Sequence, residues 1–165
     1  MLTLTVRAQT STSPDQVILL AGTDFSLRRA HVWSNVNKKR FKLHERGDTY
    51  AVVTERATGI AWFAWERSRY EWSDAGAVRQ TVTESNVVMP GSRWELRVAP
   101  RDDGGSEVEM TLERRFRKSP AGGFGYAVNH LFGRRGWGWY LRSALRAVEQ
   151  ESLPNAHADD VPAPA

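Results

Sequence analysis

An α+β fold is predicted by this sequence: a curved antiparallel sheet of about seven strands wrapped around one long C-terminal helix, with two short helices after the first strand. Three observations predict it. Residues 2–8 alternate in polarity, residues 39–118 hold six β-like segments separated by turn motifs, and residues 123–151 carry helical periodicity.

The first strand rests on Leu2, Leu4 and Val6 alternating with Thr3, Thr5 and Arg7, the period of a strand buried on one face. In the following TSPDQVILLAG, Ser13 stands at an N-cap, Pro14 at the first helical position, Gln16 completes a capping box and Gly22 supplies a stop. Asp24 can cap a second helix through FSLRRAHVW. Both helices are too short to persist without a larger surface to rest on.

Turn motifs then recur at ERGDT (45–49), ATG (57–59), SDAG (73–76), MPG (89–91) and RDDGG (101–105), the spacing of a meander. Residue 70 is set opposite 80, 86 opposite 94, and 98 opposite 108. One face then collects Trp62, Ala64, Glu66, Ser68, Tyr70 and Trp72, with Val78, Gln80, Val82, Glu84 and Asn86. It continues through Trp94, Leu96 and Val98 to Val108, Met110, Leu112, Arg114 and Phe116, while Arg67, Arg69, Arg79, Glu95, Arg97, Glu107 and Glu109 take the other side. A slip of one residue would reverse every side chain, so agreement across the hairpins supports this facing; Phe63 and Trp65 are its exceptions.

In the long helix, Phe124, Ala127, Val128, Leu131 and Phe132 share one stripe at about 100° per residue. Trp137, Leu141, Ala144, Leu145 and Val148 share another, displaced by roughly a third of a turn. Gly133, Gly136 and Gly138 lie at the jump, where a bend or loosening is expected. Residues 1–152 form one domain in this reading, and 153–165 have nothing to bury and are expected to be a disordered tail.

Composition excludes several functions. The chain has 165 residues and no cysteine, which removes disulfides and thiolate metal sites. His31, His44, His130 and His157 lack metal-binding spacing, so neither a metal nor a cofactor is expected. The N-terminus does not read as a signal peptide, and the longest apolar runs, VILLAG and IAWFAW, are far short of the roughly 20 residues of a membrane span. A cytoplasmic location is expected. No glycine-rich nucleotide fingerprint, P-loop or nucleophile elbow is present. The net charge is +4, and eight basic residues with no acidic one lie between Arg114 and Arg146. Such a run is either a solvated face or an anionic-partner surface.

The segments TSPDQV, TDFSLRRAHVW with GDTYAVVTE, WERSRYEWSDAGAVRQTVTESNVVMPGSRWELRV and GGSEVEMTLERRF together resemble the START-like, helix-grip (SRPBCC) superfamily, in its polyketide cyclase/dehydrase and lipid-transport branch. The resemblance covers most of residues 3–150 and implies a hydrophobic pocket between sheet and long helix. No catalytic motif is carried over with it.

A sheet wrapped around a single helix cannot fill its interior with that helix, and the remainder is a cavity. Its expected ligand-binding residues are Trp62, Ala64, Tyr70, Trp72, Gln80, Val82, Asn86, Trp94, Leu96 and Met110 from the sheet, with Phe124, Val128, Leu131 and Phe132 from the helix. The polar residues Glu66, Glu84, Tyr70 and Asn86 are the catalytic candidates, with Glu55 and Arg114 also on the inward face. Glu66 is expected opposite Glu84, as an acid/base pair would be. Tyr70 and Asn86 could hydrogen-bond a substrate carbonyl or merely satisfy themselves.

Three functions remain open: binding or transport of a hydrophobic small molecule; a cyclase, aromatase or dehydratase; and a basic-surface interaction module. No nucleic-acid partner is expected, and contact with a membrane is expected to be transient at most. The segment GRRGWGW (133–139) is assigned to the pocket's wall or entrance. Its apolar residues divide into two stripes, each able to face the sheet, which argues against a membrane-surface helix.

Overall fold

The computed structural model of the chain describes residues 1–26 and 28–152. The expected tail at 153–165 lies outside them. Seven antiparallel strands form one sheet: β1 (Leu2–Thr10), β2 (Lys42–Arg46), β3 (Tyr50–Arg56), β4 (Trp65–Glu71), β5 (Ala77–Ser85), β6 (Arg93–Pro100) and β7 (Ser106–Arg114). Their spatial order is β1-β7-β6-β5-β4-β3-β2. The meander runs from β2 to β7, and β1 closes onto β7 with Leu4 opposite Leu112 and Val6 opposite Met110. The SDAG, MPG and RDDGG turns close on Gly76, Gly91 and Gly104, at φ of 71°, 78° and 84°, a region in which a side chain is strained.

Tyr70 faces Gln80 and Val98 faces Val108, as the alternation predicts. Across β5 and β6 the partner of Trp94 is Gln80 rather than residue 86. That shift is even, so every side chain keeps its face. An odd shift occurs elsewhere. Arg67 pairs with Glu84 but Ser68 pairs with Val82, leaving Thr83 as the extra residue of a bulge. Beyond it the faces of β5 exchange, sending Glu84 outward and Ser85 inward.

Helix α1 (Pro14–Val17) continues as a π-helical turn over Ile18–Thr23. Ser13 makes no side-chain capping bond, and Gly22 is no stop: it is buried where an added Cβ would lie 2.7 Å from Val78 Cγ2. Asp24 Oδ1 accepts the Ser26 N–H at 2.9 Å, and α2 (Arg29–Val32) begins only afterwards. The Trp33 indole fastens this region by donating to Ala21 O at 2.8 Å.

The long helix α3 spans Pro120–Ser152. It starts three residues before the expected 123, because Ser119 Oγ accepts the Gly122 N–H at 3.1 Å and Pro120 occupies the first turn. The expected loosening at Gly133, Gly136 and Gly138 does not occur; the helix is continuous. Gly133 instead permits close approach, since an added Cβ there would lie 2.5 Å from Leu4 Cδ1 of β1. Leu141, Leu145 and Val148 are buried against the sheet, each contributing about 1.5–3 kcal/mol. The second stripe is therefore the grip.

Candidate ligand-binding cavity

Where α3 leaves the grip, its N-terminal half and the sheet enclose a cavity of about 190 Å³. A smaller inner chamber of about 40 Å³ adjoins it. Asn35, Val36, Glu55, Glu66, Arg114 and Trp137 line both. The outer chamber is walled by Phe63, Ala64 and Trp65 at the start of β4, by Val87, Val88 and Phe116, and by Phe124 and Val128 of α3. Gly125 lets α3 pack closely on this wall, because its Cβ would lie 2.5 Å from Val87 Cγ1. Trp137 is held by its N–H donating to Asn129 Oδ1 at 2.9 Å.

The inner end is polar. Glu55 and Glu66 face one another across β3 and β4. Glu55 accepts from Arg29 Nε at 2.5 Å and from the Tyr70 hydroxyl at 2.7 Å. Glu66 accepts from Arg114 Nη1 at 2.7 Å and Gln80 Nε2 at 2.6 Å. Each buried charge is thus compensated, the condition for tolerating it. The Arg29 guanidinium also lies 4.8 Å from the centre of the Phe25 ring and 4.7 Å from that of Tyr70. Burial opposes its charge, but Glu55 and Tyr70 more than offset this and hold its pKa above the ordinary value. Burial pushes the Tyr70 hydroxyl well above the usual range, reinforced by Glu55, so it stays a neutral donor at physiological pH. Among the described residues, two fully buried polar atoms of residues around the inner chamber have no hydrogen-bond partner: Arg29 Nη1, a donor, and Asn35 Oδ1, an acceptor.

The residues expected from the sequence divide into three groups. Ala64, Phe124 and Val128 line the outer chamber, Tyr70, Gln80 and Trp94 the inner, and Glu66 both. Val82, Leu96 and Met110 are closed core, at most 1% exposed. Trp72 stacks on Phe25 at 5.6 Å and donates to Asp48 O, away from the cavity. Trp62, Leu131 and Phe132 are corrections of a different kind, being 68%, 69% and 61% exposed. Trp62 ends a 3₁₀ turn at Gly59–Ala61, where strand alternation does not apply. Leu131 and Phe132 lie on the side of α3 turned away from β1.

Glu84 is the main correction. It is on the opposite face from Glu66, exposed, and paired with Arg67 at 3.2 Å. The expected Glu66–Glu84 acid/base pair does not exist, because the bulge at Thr83 reverses the facing. Asn86 is also structural: its Oδ1 accepts the Trp65 N–H at 2.9 Å and its Nδ2 donates to Phe63 O at 3.0 Å, fixing the start of β4. Asn35, Val36 and Trp137 line both chambers without being among the expected ligand-binding residues, and Arg29 likewise lines the inner one, from a four-residue helix with no periodicity to show where it points. Phe63 and Trp65, the exceptions to the alternation, are cavity walls.

No protein-family model matches the sequence, and no curated protein matches it. Solved structures do resemble the fold. The Zhui aromatase/cyclase from Streptomyces sp. R1128 superposes with a TM-score of 0.75 at 15% identity, over 91% of this chain and 94% of that one. A START superfamily protein from Mycobacterium smegmatis gives 0.67 at 9% identity, over 91% and 99%. Truncated norcoclaurine synthase from Thalictrum flavum gives 0.67 at 9% identity, over 92% and 93%. The seven-stranded antiparallel sheet closed on its C-terminal helix is therefore the START-like helix-grip fold.

Proposed function

We propose that the protein binds a hydrophobic small molecule, lipid-, polyketide- or aromatic-like, in the cavity between the sheet and α3. The observation that carries this reading is an apolar chamber of about 190 Å³ between the sheet and α3. An apolar cavity of about 150 Å³ is enough to take up benzene, so a ring system or a short length of acyl chain suits this one. Each methylene moved from water into the chamber adds about 0.8 kcal/mol.

Binding is favoured over turnover, although an aromatase/cyclase and a synthase are among the similar structures. Of the groups a cyclase would use at this end, Glu55 already accepts from Tyr70 and Arg29, and Glu66 from Arg114 and Gln80. Native mass spectrometry of freshly purified protein tests the reading. A co-purifying apolar compound, or saturable uptake of 1-anilinonaphthalene-8-sulfonate by protein that carries none, is expected; neither would be seen if the cavity were only a packing defect.

A further inference from the structure

We propose that Trp137 determines which ligands the cavity accepts, its indole standing as a partition between the apolar outer chamber and the charged inner one, a role that rests on the cavity being the binding site. Six residues line both chambers, and Trp137 is the only one of them carried by α3 and the only aromatic. The other five are fixed from elsewhere. Glu55, Glu66 and Arg114 are held in the two buried ion pairs. Asn35 and Val36 are tied to the end of β3 through the main chain, where Asn35 O accepts the Thr58 N–H at 3.1 Å and Val36 bridges Ala57. The side chain free to set the depth of the cavity is therefore Trp137.

Its indole is held in an unusual way. A side chain on an α-helix leans toward the N-terminus and meets the residues three or four positions back. The Trp137 N–H instead donates to Asn129 Oδ1 at 2.9 Å, eight residues back and about 12 Å along the axis. Gly133 stands midway between the two and has no side chain to intervene. Asn129 is oriented in turn by donating from Nδ2 to Gly125 O at 2.8 Å, which turns its oxygen to the indole. Gly125 and Asn129 line the outer chamber, so this latch runs along the α3 wall of the cavity. Of the segment GRRGWGW, Trp137 is thus the part that forms wall. With the indole latched, a ring system fits the outer chamber of about 190 Å³. A ligand with a longer chain must displace the indole, break its hydrogen bond and bring apolar atoms against Glu55, Glu66 and Arg114. Trp137 therefore selects compact aromatic ligands over chain-like ones.

The test is calorimetric titration of a compact probe, 2-naphthol, and an elongated one, 4-hexylphenol. Wild type is expected to bind 2-naphthol the more tightly, by about tenfold. In Trp137→Ala, which joins the chambers, that ratio is expected to fall by about tenfold or more. Asn129→Leu removes the acceptor and is expected to move the ratio the same way by a smaller factor, whereas Asn129→Asp keeps an oxygen acceptor and is expected to stay near wild type. In nitrogen-15 spectra, the indole N–H resonance that Trp137→Phe lacks is expected to move upfield in Asn129→Leu and to hold its place in Asn129→Asp. If Trp137→Ala does not fold, Asn129→Leu and this resonance decide. An unchanged ratio in the folded variants, with 2-naphthol still bound, overturns the partition and leaves the cavity reading in place. A changed ratio in Trp137→Ala alone supports the partition and overturns the latch. Failure of every protein to bind 2-naphthol removes the cavity reading and the partition with it.

Discussion

The two ends of the cavity are built on opposite principles. At the inner end, Arg29 and Tyr70 bond Glu55, and Arg114 and Gln80 bond Glu66, so that each carboxylate has its cation. At the mouth, apolar side chains stand in solvent and cations lack carboxylates, although the outer face of the sheet pairs Arg7, Arg67, Arg69, Arg79 and Arg97 with acidic neighbours. The chain can thus pair its surface charges, as Arg28 does with Glu151 near the end of α3, yet among the described residues Arg134, Arg135 and Arg142 have no carboxylate partner. Paired buried charges fix geometry. Under the proposed binding function, the inner end serves folding and ligand choice, and the mouth ligand entry.

This contrast makes stability respond to one end and not to the other. The largest effect is expected for Arg29→Met, which leaves Glu55 buried without its cation: about 3–5 kcal/mol in urea unfolding. Arg7→Ala, at an exposed pair with Glu109, is expected to cost no more than about 1 kcal/mol. Equal costs would mean that the inner network is not closed.

Alkaline pH sharpens the same point. The Tyr70 pKa is raised in the folded state by burial and then by Glu55, so its contribution is fully present below the unfolded value of about 10 and is lost as pH rises. Above pH 10 this one group is expected to lower stability by up to about 1.4 kcal/mol per pH unit. Tyr70→Phe should flatten that part of the wild-type profile, and an unchanged slope would separate Tyr70 from the network.

Smaller effects belong to α3. Gly136 has open space where its Cβ would stand, so Gly136→Ala is expected to stabilise by about 0.5–1 kcal/mol in thermal unfolding. Leu131→Ser is expected to change stability by no more than about 0.5 kcal/mol, since the side chain is 69% exposed. A loss of several kcal/mol there would show Leu131 to be core and would remove the contrast.

The sequence makes the strands legible because alternation records which side chains share a face, and most of the inward set from Ser68 to Leu112 follows from it. It leaves no mark of the single extra residue at Thr83, and one bulge was enough to separate Glu66 from Glu84. Periodicity groups Phe124, Val128, Leu131 and Phe132 correctly on α3, yet it does not say which way a stripe points. The packing settles it: Leu141, Ala144, Leu145 and Val148 are buried, and Gly133 approaches Leu4 of β1 closely. Arg29 was hidden for a related reason: a four-residue helix takes its orientation from what it rests on, here Phe25 and Tyr70. The inner end of the site is thus tertiary in origin, whereas its apolar walls were partly written in local pattern.

Occupation of the cavity is tested most directly by fluorescence titration of 2-naphthol, an apolar bicycle bearing one hydroxyl, into wild type and Val128→Trp. Val128 lines the outer chamber, and an indole at that position would fill it. Wild type is expected to show one saturable site and Val128→Trp at least a tenfold weaker one, with circular dichroism confirming that both are folded. Equal affinity in the two folded proteins would place the ligand elsewhere and contradict the cavity as the binding site.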